Sequence, residues 1–172
     1  MRHIISGVIP LFLTVAASAA VIEDKTISVS AIVADNAEIS HHEDEAYRAI
    51  RAKFINPSGD LFYISVTAWP HESYGLSGSV DEIANQVIYN NALATKTPPL
   101  QKPKKILFFG HSAFITSYAP DKIFPRTTTL VLSISVFGKW LRQIAITIVP
   151  KHEMVLTEQD LIKKLEELKF RF

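Results

Sequence analysis

The sequence predicts one α+β domain, an antiparallel β-sheet flanked by helices. Three observations carry that expectation. Two runs rich in β-branched residues, Thr127 to Phe137 and Trp140 to Val149, are separated only by Gly138 and Lys139, which is tight hairpin spacing. Two other stretches, opening at Ser79 and at Thr157, begin with a helix-capping pattern and continue with apolar residues at helical spacing. The chain has 172 residues, is 48% hydrophobic and contains no cysteine, so it must build its core without staples and is long enough to do so. The missing thiols also exclude disulfide scaffolds, zinc fingers, thiol enzymes and iron–sulfur proteins.

The first twenty residues read as a secretory signal peptide. Arg2 supplies the basic start, no charged residue occurs from Ile4 to Ile22, and Ala16 to Ala20 offer the small side chains that signal peptidase accepts. The expected cut follows Ala19 or Ala20, leaving 21–172 as a single domain. An uncleaved membrane anchor is the alternative, which Pro10 and the Ala/Ser tail disfavour. No cysteine follows the apolar stretch, so a lipid anchor is excluded. These features predict a periplasmic or secreted protein with no membrane span after cleavage.

Thr26 to Val33 alternates, with Ile27, Val29, Ala31 and Val33 on one face, as a half-buried strand does. Ala34 to Glu45 is polar and reads as loop. Between 46 and 55 two patterns compete. Tyr47, Ile50 and Phe54 fit a helical face, whereas Ile50, Ala52 and Phe54 alternate with Arg51 and Lys53. The following Asn56-Pro57-Ser58-Gly59-Asp60 suits a type I turn with a glycine bulge, which favours a hairpin of 47–55 with 61–69. From Ser79, Val80, Ile83, Ala84, Val87 and Ile88 predict a helix reaching about Ala94, before a Pro/Lys linker over 95–103. Ile106 to Phe109 and Ala113 to Tyr118 read as strands separated or bulged at Gly110. In the last helix Leu161, Ile162, Leu165 and Leu168 form the expected buried stripe.

Without Arg2 the charges balance at 17 basic and 17 acidic residues, which argues against a nucleic-acid binder. Their distribution is uneven: 21–95 holds eleven acids and four bases, while 96–142 holds eight bases and one acid. A folded chain commonly mixes such blocks in space. The sharper expectation is a basic face built from Lys102, Lys104, Lys105, Lys122, Arg126, Lys139 and Arg142, meeting a protein or an anionic envelope partner.

Candidate chemistry is sparse. Gly110-His111-Ser112-Ala113-Phe114 approaches a nucleophile elbow but has Phe114 where that motif needs glycine. His41, His42 and Glu43 offer nitrogen and oxygen ligands for zinc, copper or nickel. Adjacent residues cannot all face one ion from a regular element, so such a site would need His71, His111 or His152 as well. An exposed acidic loop is the simpler reading. Paired carboxylates for hydrolysis could come from Glu43, Glu72 or Asp121, and spacing marks out none of them. Neither glycine-rich phosphate motif occurs, and no cofactor is expected.

The element order from about 47 to 172 resembles the PsbP-like family of α/β/α sandwiches, which includes DcrB-like periplasmic proteins. The resembling pieces are the strand ending in Ile64-Ser65-Val66-Thr67-Ala68-Trp69-Pro70, the capped helix from Ser79 and the glycine-led segment Gly110 to Tyr118. The strand pair joined by Gly138-Lys139 and the closing helix ending near Phe170 complete the set. This resemblance spans about three quarters of the chain on generic motifs. It implies a PsbP-like α/β/α sandwich with strand at 46–55, and a non-enzymatic accessory or binding role. It carries no catalytic residue, and the chain lacks the anchor cysteine common in DcrB-like members. The expectation is therefore an exported, non-catalytic binding or accessory module. A small hydrolase with dispersed catalytic residues and a metal-binding protein are the alternatives.

Overall fold

Alternation of apolar and polar residues runs through more of this chain than its two helices, and the architecture follows from that. The computed structural model describes residues 19–71, 78–95, 98–152 and 156–171, with side chains of 89–95 excepted. The predicted signal peptide up to residue 18, Glu72 and Lys96 lie outside the described residues. In chain order the elements are β1 (Ala19–Asp24), β2 (Val29–Ala34), β3 (Glu38–Glu43), β4 (Arg48–Ile55), β5 (Leu61–Pro70), α1 (Val80–Thr95), β6 (Lys104–Phe108), β7 (His111–Tyr118), β8 (Thr128–Phe137), β9 (Trp140–Val149) and α2 (Glu158–Glu166).

Seven strands form one sheet in the order β3-β4-β5-β9-β8-β7-β6, and every neighbouring pair is antiparallel. On one face Ile50, Phe54, Phe62, Ile64, Val66, Ile144, Ile146 and Ile148 are buried beneath a second layer. That layer is the β1–β2 hairpin, α2 and the C-terminal tail. Ser30 and Arg171 exchange backbone hydrogen bonds at 3.0 and 2.9 Å, so the tail lies beside β2. The other face carries α1, whose Ile83, Ala84 and Ile88 pack on Phe114, Leu130, Leu132 and Ile134.

This arrangement corrects the expected fold class. The described residues hold nine strands and only two helices, and one face of the large sheet is covered by a second, two-stranded sheet. The protein is a β-rich fold, not an antiparallel sheet flanked by helices as in a PsbP-like α/β/α sandwich. Two strands that the sequence did not mark explain the difference. Residues 21–24 of β1, for which no element was expected, pair with 29–32 of β2. The polar stretch 34–45, read as loop, contains β3, an edge strand that buries little and so shows no apolar alternation.

Most other elements match expectation. Residues 48–55 are strand and pair with β5. The turn between them carries Gly59 at φ 84°, where a side chain would be strained. The two strands are separated at Gly110, not bulged there, by a two-residue hairpin turn: Phe109 and Gly110 both have positive φ, at 48° and 83°, between the paired residues Phe108 and His111. Both helix caps form. Ser79 and Glu82 bond reciprocally, and the Ser79 amide and hydroxyl hold the Glu82 carboxyl below its usual pKa. Thr157 accepts from the Asp160 amide. Leu161 and Leu165 of α2, and Leu168 just beyond its end, are buried as expected, whereas Ile162 is 38% exposed and leaves the stripe.

Candidate functional site

Helix α1 lies over β7 and β8, where the outward residues are large and apolar. Further across the same face the floor changes. Ser65 and Thr67 of β5, with Ala145 and Thr147 of β9, are small, and two of the β4 side chains facing this way, Arg51 and Lys53, are cationic. The result is an open groove of about 440 Å3 along β3, β4, β5 and β9. Cross-strand register fixes its composition. Ser40, Arg51, Ser65 and Ala145 stand in one row, and Glu38, Lys53, Tyr63 and Thr147 in the next. Lys53 Nζ is 3.8 Å from Glu38 and 5.9 Å from the centre of the Tyr63 ring, and Tyr63 meets Phe124 edge-on at 5.5 Å. Ser65 Oγ is 3.3 Å from Thr67 Oγ1. Arg51 is exposed and makes no ion pair or side-chain hydrogen bond among the described residues.

The seven residues expected to form a basic face are not brought together. Lys104 and Lys105 are successive on edge strand β6 and project to opposite faces. Lys104 pairs with Glu158 in the first turn of α2, and Lys105 with Asp81 in the first turn of α1. Lys122 and Arg126 lie in the β7–β8 connection, where Arg126 donates to the Pro150 carbonyl at 3.0 Å. Lys139 sits in the β8–β9 turn, at the other end of β8, with its ammonium 5.3 Å from the Trp140 ring centre. Arg142 is only 3% exposed. It faces the β1–β2 hairpin, donating to the carbonyls of Ile27 (2.9 Å) and Ser28 (3.4 Å) and to Ser135. Burial lowers its pKa from the usual arginine value. Lys102 is exposed beside the chain segment that runs along the edge of β7.

The histidine cluster separates in the same way. Along β3, His41 and Glu43 face the hairpin side and His42 faces the α1 side. His42 stacks on Tyr47 at 4.4 Å and bonds to Asp44 at 2.8 Å, while Glu43 pairs with Arg48. The Tyr47 amide first, then His42, hold the Asp44 carboxyl below its usual pKa. Among the described residues no three His, Cys, Asp or Glu groups are placed to hold one metal ion. Asp121 accepts from the amides of Ile123 and Phe124, closing its own loop. Ser112 is part of strand β7, and its carbonyl accepts from Ser133 at 2.9 Å.

The groove residues Ser40, Arg51 and Ser65 were not singled out from the sequence. Alternation on β4 did place Arg51 and Lys53 opposite the buried Ile50, Ala52 and Phe54. The position of Ser40 beside Arg51 depends on a strand that polar composition concealed. No family model, no curated protein and no solved structure matches this chain. Among the described residues no helix is long and apolar enough to cross a membrane.

Proposed function

We propose that the protein is an exported, non-catalytic binding module, periplasmic or secreted, that acts as an accessory to another protein or an envelope component. It engages that component through the open half of the α1 face. The signal-like first twenty residues support export. The observation that carries the reading is the change of floor across one sheet face. Where α1 sits, the sheet offers Phe114, Leu130, Leu132 and Ile134; beside it lies a groove floored by serine, threonine and alanine and edged by Arg51 and Lys53. Concave sites with a few convergent polar groups are the usual form of binding sites.

The test is crosslinking in intact cells of the tagged protein and of an Ala145→Trp variant, which fills the groove from its floor. A stoichiometric partner captured by the parent and lost by the variant, with the variant still unfolding in one cooperative thermal transition, is the expected result. A partner retained by the variant, or no partner at all, overturns the reading.

A further inference from the structure

We propose that Arg51 anchors the carboxylate of a small, singly charged organic ligand in this groove, an inference that rests on the binding-module reading and specifies its chemistry. It begins with the β3–β4 ladder. Glu38 stands opposite Lys53 and Glu43 opposite Arg48, so acids on the edge strand meet bases on its neighbour. Glu43 and Arg48 lie on the hairpin face; on the α1 face the pattern breaks in the row beside Glu38 and Lys53, because Arg51 stands opposite Ser40. Among the described residues its guanidinium fork therefore has no internal carboxylate, while a hydroxyl flanks it on each side, Ser40 on β3 and Ser65 on β5.

Side chains directly opposite on neighbouring strands lie about 5 Å apart at Cβ, so an Arg51 side chain laid along the row brings its fork over the neighbouring hydroxyl of Ser40 or Ser65. Ser65 can receive a hydrogen bond from Thr67 and still donate its own proton outward. A guanidinium fork and a hydroxyl donor beneath it suit an oxyanion. The local charge selects among oxyanions. Lys53 is matched by Glu38, which leaves Arg51 as the one surplus positive charge on this wall among the described residues. A single negative charge completes the balance, and Glu38 opposes a second one, so a carboxylate fits better than a phosphate dianion. The uncharged part of the ligand has Ala145, Thr147 and Tyr63 to lie against. A groove of about 440 Å3 is within the size range of small-molecule sites.

The test titrates the full folded protein with hexanoate, 3-phenylpropanoate and N-acetylalanine, each beside its uncharged amide and beside phenethyl phosphate, followed by amide and arginine Nε NMR shifts. Shifts should centre on Ser40, Arg51 and Ser65 for at least one carboxylate and be absent for the amides. Arg51→Gln should weaken binding about tenfold or more without changing the melting temperature, because Arg51 is exposed. Stronger binding of the phosphate than of every carboxylate would overturn the charge argument. So would the absence of groove shifts up to about 10 mM for the whole panel, or binding that survives Arg51→Gln. If the panel fails while Ala145→Trp still loses its cellular partner, the ligand class is wrong and the binding-module reading stands.

Discussion

Among the described residues Asp60 is the most buried carboxylate, with a full set of partners, and removing it should cost more than any surface change. It is 5% exposed, at the end of the β4–β5 turn. It accepts from the Lys151 amide at 2.9 Å, from Asn56 Nδ2 at 3.5 Å and from Lys164 of α2. One side chain thus ties a hairpin turn to the exit of β9 and to the helix on the hairpin face. Burial by itself raises the carboxyl pKa; Lys164 and the two amide donors more than offset it, so the group lies below its usual value. Asp60→Ala leaves a buried amide unpaired and Lys164 without its counterion. An unmet buried donor costs roughly 1–3 kcal/mol, and a broken buried pair roughly 3–5 kcal/mol. Lys164 is 19% exposed and can reach water, so a total of about 2–4 kcal/mol is expected. Urea unfolding reads this directly. Asp60→Asn preserves shape and supplies the pH arm. The folded carboxyl ionises more readily than the unfolded one, whose pKa is about 3.9, so its contribution is complete above that value. It fades as pH falls through the folded value. The stability gap between the parent and Asp60→Asn should therefore narrow from about pH 5 to pH 2. If Asp60→Ala unfolds within about 0.5 kcal/mol of the parent, or the gap widens on acidification, the clamp does not exist.

Other expectations follow from single contacts. Arg142→Leu removes the donor to the Ile27 and Ser28 carbonyls and should cost about 2–3 kcal/mol, with hydrogen exchange rising first in Val29–Ala34; unchanged protection there would refute the pinning role. The Tyr118 hydroxyl is buried without a hydrogen-bond partner among the described residues, and desolvation raises its pKa. Tyr118→Phe should accordingly be neutral or stabilising by up to about 1 kcal/mol, and a clear loss in urea would reveal a partner. Changing Lys102, Lys104 and Lys105 together to Glu breaks two exposed ion pairs and sets like charges beside Asp81 and Glu158. A loss of about 1–2 kcal/mol is expected by thermal unfolding, and a much larger one would mean that these pairs hold the helices in place.

Burial decided how much of the molecule could be read from its sequence. Strands β5, β8 and β9 each bury at least one face, so alternation and turn chemistry marked them, and the Gly59 and Gly138 turns fell where expected. Edge strand β3 buries almost nothing, and Glu38, Ser40, His41, His42 and Glu43 resemble loop residues until a partner strand is known. The charge map failed for a related reason. Eight bases in one stretch suggested a face, but strand geometry sends Lys104 and Lys105 to opposite sides, and Arg142 shares its side with the buried Ile144. The signal that did survive was local: Arg51 and Lys53 alternate against a buried stripe, and only the cross-strand partner of each shows that they differ.

That difference between neighbours supports a variant in which stability and binding should part company. A sheet face left open for structural reasons alone is served by paired charges, and on this face the Glu38–Lys53 pair follows that pattern. Ser40→Glu would extend it to Arg51. If position 40 served only the fold, completing the ladder should do nothing but help, by about 0.2–1 kcal/mol, as favourable cross-strand pairs do. If Arg51 is held open for a carboxylate, the new side chain occupies its fork and binding is lost while the protein becomes no less stable. Urea unfolding and carboxylate titration of the same sample separate the two. Retained binding in a stably folded Ser40→Glu protein would show that the unpaired arginine is a solvated surface group, and that the break in the ladder has no functional meaning.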